Sequence, residues 1–184
     1  FANDFLIERL EREGLRVRFA PLCEWIEYAD HVARDRKEAT GLGAWLNTNV
    51  QRRVLSRCHG LLGRALRWPS RRERVADSVA AGRGYLSDAL AGESILTLGS
   101  ALHEWRDGLI DGAVSVGPLE CMPTRIAEAQ FFHVAEQEGL PTITLPVNGD
   151  PVDPELLAGF VFDVRRNFDP QARSRRARTP PVHA

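Results

Sequence analysis

The sequence predicts an α/β fold, a small parallel sheet of the doubly wound, Rossmann-like kind with a large helical insert, and three stretches carry that prediction. Residues 112–145 begin with small and β-branched residues (Ala113, Val114, Ser115, Val116), turn at Gly117-Pro118, and pass through a helical pattern into a second β-rich run, PTITL at 141–145. Two strands joined by a helix are read as a parallel pair with a right-handed crossover in a layered domain. LRVRF at 15–19 alternates apolar and polar residues as a strand does and stops at Pro21. Residues 22–90, in contrast, hold no convincing strand and are longer than an ordinary crossover, which marks them as a helical insert forming a cap or an interface. The expected organisation is an α/β domain over 1–169 with the insert at 22–90, followed by a tail.

The opening residues FANDFLIERLEREG predict a helix capped by Asn3, striped by Leu6, Ile7 and Leu10, and closed at Gly14. A helix before the first strand is an unusual way for such a domain to begin, and the chain lacks an initiator Met. The expectation is a piece of a longer protein, with a strand just before Phe1.

Within the insert, Cys23, Trp25, Ile26 and Val32 fall in one candidate helix, and Leu42, Leu46, Val50 and Val54 repeat every four residues in another that Gly60 and Gly63 should weaken. Pro69-Ser70 opens a third piece ending near Gly82–Gly84, and Tyr85–Leu90 reads as a short fourth. Ile95–Trp105 fits either a strand stopping at Gly99 or a helix capped at Ser94. The shared face of Leu98, Leu102 and Trp105 favours the helix.

After the first strand, Pro123 suits the start of a helix, and Ile126, Ala127, Phe131, Val134 and Ala135 line one side of it up to Gly139. Asn148-Gly149-Asp150 is a turn after the second strand, and the last helix starts at Pro154 with Leu157, Phe160, Val161 and Val164 inward. Pro170–Ala184, with four arginines, three prolines and no acid, reads as a tail or linker.

With 184 residues, 43% hydrophobic and 27% charged, the chain can bury a core without staples. Three cysteines at 23, 58 and 121 make no disulfide framework and no close pair for a closed zinc site, so a reducing cytoplasm is expected. No apolar run is long enough to span a membrane. Between Gln51 and Val75, arginines 52, 53, 57, 64, 67, 71, 72 and 74 face one acid, Glu73, although the whole chain is at −1. The run reads as a solvated helix face, or as a surface for a phosphate-bearing ligand or an acidic partner. Nucleic acid is disfavoured by the overall charge and the lack of a binding motif.

Chemistry concentrates at Cys121. It precedes a helix N-terminus at the carboxyl end of a parallel strand, where ligands bind in open α/β sheets and where free N–H groups favour anions. From the residues alone it reads as a buried small residue or a nucleophile. His133 lies about 18 Å along the same helix and cannot serve it as a base, and nothing in the sequence brings His103 there. Asn148 and Asp150 share that edge of the sheet and could touch a substrate. Glu93 reads as a capping carboxylate or an acid–base group, Cys58-His59 as structural, and the tryptophans at 25, 45, 68 and 105 as core or interface.

The succession IDGAVSVGPLECMPTRIAEAQ, GLPTITLPVNGD and FVFDVRRNF resembles the C-terminal subdomain of 2-hydroxyacyl-CoA dehydratase subunits, and more closely the related region of the large CoA-substrate-specific enzyme activases. NDFLIERLEREGLRVRFAPLCEWIEYAD resembles the activase-related group as well, so the likeness spans about half of the chain. The resemblance implies a CoA thioester substrate, a partner subunit or upstream domains of the same protein, and a cubane iron–sulfur cluster to which Cys121 gives one thiolate. The other ligands come from an upstream subdomain. Glu120 stands where the family often has Gly, a departure that sets a carboxylate beside the thiol, and it is taken as a substrate-binding residue. The function implied is part of an iron–sulfur component in low-potential electron transfer or 2-hydroxyacyl-CoA dehydration. No Walker-type loop is present, so ATP hydrolysis is not assigned. The alternative is a non-catalytic assembly or regulatory domain binding an acidic partner through the arginine-rich insert.

Overall fold

The computed structural model describes residues 2–20, 22–35, 42–66, 75–87, 89–90 and 92–171. Its elements are α1 (Ala2–Arg12), α2 (Leu22–Asp35), α3 (Leu42–Leu66), α4 (Val75–Gly82), α5 (Ser94–Arg106), β1 (Ala113–Pro118), α6 (Met122–Glu138), β2 (Thr142–Val147) and α7 (Pro154–Asn167). The fold is mixed α/β and mostly helical. Among the described residues its sheet has two strands, β1 and β2, paired in parallel from Ala113↔Thr142 to Pro118↔Val147.

The pleat sends alternate side chains to opposite faces, and each face meets its own core. Ala113 packs into a cluster built from α2, α4, α5 and α6, with Leu98, Leu102, Ala127, Val134 and Leu140 fully buried. Each such leucine contributes about 1.5–3 kcal/mol by leaving water. Val114, Ile143 and Leu145 face the second cluster, formed with Leu6 and Leu10 of α1 and Leu157, Phe160, Val161 and Val164 of α7.

α1 ends as Gly14 leads one to expect. Gly14 takes φ 76°, Leu15 N–H donates to Leu10 O at 3.1 Å and Gly14 N–H to Glu11 O at 2.9 Å, a paired closure of the last turn. Asn3, however, lies inside the helix rather than at its cap.

Leu15–Phe19 is not a strand. Its alternation is real, since Leu15 and Val17 pack on the second cluster while Arg18 pairs with the buried Glu104 of α5, yet the backbone joins no ladder. A strand requires a neighbour for its N–H and C=O groups as well as a pleat pattern, and neither β1 nor β2 provides one.

The insert is helical where described, but α2 and α4 belong to the core rather than capping it. Tyr28, Val75 and Val79 sit in the first cluster, and the glycine pair Gly82 and Gly99 brings α4 and α5 together. A Cβ on Gly99 would run into the Ser78 carbonyl and lie 3.1 Å from Gly82 N. Beside this crossing, the Ser78 and Ser100 hydroxyls donate to the Glu24 carboxylate at 2.8 and 2.9 Å, which satisfies a carboxylate brought in by α2. α3 runs through Gly60 and Gly63 without a break, and the described residues 85–87 and 89–90 are not helical. Pro69, Trp68, Arg67, Arg71, Arg72, Arg74 and the tail beyond Gln171 lie outside the described residues.

α5 is a helix, as the face of Leu98, Leu102 and Trp105 favoured. Its cap differs from expectation. Glu93 occupies the N-cap position without a side-chain cap bond, and the Ser94 hydroxyl is buried without a partner. Glu138 ties the end of α6 to α5. Arg106 donates to its carboxylate at 3.0 and 2.5 Å, Tyr85 at 3.0 Å, and Trp105 Nε1–H reaches its carbonyl at 3.2 Å. Burial, then the bond to Glu138 and the nearby charge of that carboxylate, push the Tyr85 phenol up to about 12.

Candidate functional site

The site is built where β1 and β2 end side by side. β1 continues through Gly117 and Pro118, the two residues expected to turn, and pairs them with Pro146 and Val147. The chain then turns at Leu119-Glu120, closed by Cys121 N–H donating to Pro118 O at 3.1 Å. Cys121 is the N-cap of α6 in extended geometry (φ −69°, ψ 109°), and its carbonyl accepts the first helical bond, from Arg125 N–H at 3.0 Å. Met122 is the first helical residue and Pro123 the second, one place later than the sequence suggested. Cys121 makes no side-chain cap bond, so its thiol is not consumed in holding the helix end.

The turn is tight because Gly117 is the penultimate residue of β1. A Cβ there would lie 2.9 Å from Thr124 Cγ2 and 3.1 Å from Thr124 Cβ, and would press on the Thr124 hydroxyl as well. The missing side chain lets the first turn of α6 settle against the sheet. Across the strand pair, Asn148-Gly149-Asp150 follows β2 in the expected turn, with Gly149 at φ 93°. Asn148 Nδ2 donates to Asp150 Oδ2 at 2.6 Å, and Asp150 N–H to Asn148 Oδ1 at 3.0 Å, so the two side chains are partly spent on each other.

Cys121 is half-buried, while Glu120, Asn148 and Asp150 are exposed. All four belong to the carboxyl end of the sheet, which also carries the exposed apolar side chains of Val116, Leu119, Met122 and Val147. One neighbour was not foreseen. The loop before α5 lies against α6, where a Cβ on Gly92 would be 3.4 Å from Pro123 Cγ, and Tyr28 of α2 holds that loop by donating to Gly92 O at 2.8 Å. Tyr28 and Gly92 are 64 residues apart, and no local pattern joins them. Glu93 is half-buried in the same loop.

The remaining candidates lie elsewhere. His133 is exposed in the second half of α6 with its Nδ1 4.0 Å from Glu136, and His103 is on α5. Cys58 is exposed on α3, and the side chain of His59 is outside the described set. Cys23 is half-buried on α2, where burial pushes its thiol up and Glu27 and Glu24 add to the shift against opposing backbone hydrogen bonds. None of the three cysteines is in a disulfide. Trp105 is core as expected, but Trp25 is exposed.

A cubane cluster takes four thiolates or close equivalents. The described residues bring no group of three or more His, Cys, Asp or Glu together in a way that could hold a metal ion. They do not hold such a cluster by themselves, and what they offer at this edge is one accessible thiol. Among them, no helix is long and apolar enough to cross a membrane. Comparison with protein-family profiles, with curated proteins and with solved structures finds no match to this chain.

Proposed function

We propose that this chain is part of an iron–sulfur component of an acyl-CoA dehydratase or activase-type system, serving low-potential electron transfer or 2-hydroxyacyl-CoA dehydration. Cys121 contributes one thiolate to a cluster completed by residues outside this chain. One observation carries the reading: Cys121 is the N-cap of α6 at the carboxyl end of a parallel strand, half-buried, with a thiol that makes no cap bond. A helix N-terminus favours an anion at that position. The adjoining loops supply Glu120 on one side and Asn148 and Asp150 on the other, groups suited to the polar part of a CoA thioester substrate. The reading places the protein in the cytoplasm, where thiols stay reduced.

On this reading the sheet is also part of a doubly wound, Rossmann-like sheet. Leu15–Phe19, which joins no ladder among the described residues, would complete that sheet by pairing with a further parallel strand outside them. Support comes from side chains reaching both layers without a ladder, and from Arg18 meeting α5, the helix that leads into β1. The partner subunit or upstream domains then bring the other cluster ligands.

The test is iron and acid-labile sulfide content, with the visible spectrum, of the anaerobically prepared natural protein and its Cys121→Ser variant. A brown protein that loses colour and iron on substitution is expected. A colourless protein whose variant is equally stable makes Cys121 a packing residue and overturns the reading.

A further inference from the structure

Where its side chains are described, the long helix α3 turns large apolar residues outward. Leu46, Val50, Val54 and Leu61 are 49%, 57%, 54% and 66% exposed. At about 100° per residue they fall within an arc of about 80°, and at about 1.5 Å per residue they form a seam about 22 Å long. None of the described residues of α3 belongs to either buried cluster. A helix in a water-soluble domain ordinarily turns such a stripe inward, and a contiguous exposed one marks a surface that another molecule covers.

Charge identifies the occupant. α3 contains four arginines (52, 53, 57 and 64) and no Asp or Glu. Arg53, Arg57 and Arg64 are exposed and fall within about 40° of one another along one edge of the seam. A second copy of α3 would bring four positive charges against four, which costs affinity. A membrane-seeking helix spreads its cations over a broad polar face, whereas the sequence of α3 also includes the neutral polar residues Asn47, Thr48, Asn49, Gln51 and Ser56. A purely aliphatic seam likewise gives nucleic acid bases nothing to stack on. An apolar seam with cations along one edge complements a helix with an apolar seam and carboxylates along one edge.

We propose that α3 is a docking helix for an acidic amphipathic helix of a partner protein, with Leu46, Val50, Val54 and Leu61 packing on its apolar face and Arg53, Arg57 and Arg64 pairing with its carboxylates. The arginines stand at i, i+4 and i+11, so they reach carboxylates over about 16 Å of partner helix. The proposal is independent of any cluster at Cys121.

The test uses the natural protein and two fluorescent 21-residue helical peptides with the same leucine seam, one carrying Glu and the other Lys along one edge. Fluorescence anisotropy is expected to register binding of the Glu peptide, weakening about tenfold or more between low and high salt, with no binding of the Lys peptide. R53E/R57E is expected to reverse the preference, and V50D to abolish binding of the Glu peptide. Circular dichroism confirms that these surface variants remain folded. Binding of neither peptide, or a preference unchanged by R53E/R57E, overturns the proposal. So does capture by phosphatidylserine vesicles or by an oligonucleotide in place of the Glu peptide, or a dimer that V50D dissolves.

Discussion

Gly117→Ala places a methyl group where β1 meets the first turn of α6, and the consequence can be worked from the contacts. The new carbon would stand 2.9 Å from Thr124 Cγ2 and 3.1 Å from Thr124 Cβ, and closer still to the hydroxyl. Overpacking of this kind costs about 1–3 kcal/mol, while replacing a strand glycine returns about 0.5–1 kcal/mol of backbone entropy. The net loss is about 1–2 kcal/mol. With a urea m-value of about 2 kcal/mol/M, the midpoint falls by about 0.5–1 M. Thr124→Ala removes two of the three crowded atoms, so the double variant should recover about 1 kcal/mol relative to the sum of the singles. Urea unfolding followed by circular dichroism on all four proteins closes the cycle. A Gly117→Ala protein as stable as its parent, or a cost indifferent to Thr124, would refute the idea that strand end and helix start are held by this close approach.

Two further outcomes follow from the packing. Gly99→Ala, whose methyl group would enter the Ser78 carbonyl, should cost about 1–3 kcal/mol, whereas Gly159→Ala on the open face of α7, with nothing within 4 Å, should gain up to about 1 kcal/mol from helix propensity. Thermal melts of the two variants are expected to move in opposite directions. For Tyr85, the folded phenol titrates near 12 against an ordinary value of 10.0. The stability this contributes is present in full below pH 10 and is lost as pH rises toward 12, because the unfolded chain releases the proton first. Phenolate absorbance should therefore include one late-titrating tyrosine, which Tyr85→Phe removes, and that variant should lose less stability between pH 10 and 12 than its parent.

Local chemistry was legible where it suffices to specify an element. Pro154 starts α7, where the structure adds Asp153 as the cap, its Oδ1 accepting from Glu155 N–H at 2.8 Å, and Gly139 ends α6 at φ 72°. The unit β1–α6–β2 was readable from its periodicity, and Cys121 from the residues flanking it. What depends on distant partners was not. Alternation in Leu15–Phe19 records which side each residue faces but not whether a strand lies alongside. The core role of α4 rests on Gly82 meeting Gly99, two glycines whose separate propensities say nothing of a crossing. Gly60 and Gly63 were given too much weight, since a cost of about 1 kcal/mol each does not break a 25-residue helix. At the site, the Tyr28–Gly92 bond was invisible for the same reason as the helix crossing.

The Glu138 cluster has a mechanical meaning for the opposite end of the same helix. α6 is held at its rear by Arg106, Tyr85 and Trp105, along its length by Ala127, Phe131 and Val134 in the first cluster, and at its front by the close seating of Thr124 on Gly117. Its 17 residues make a lever about 25 Å long. The position of the Cys121 thiol therefore rests on residues at both ends of this rod, and not only on those beside it.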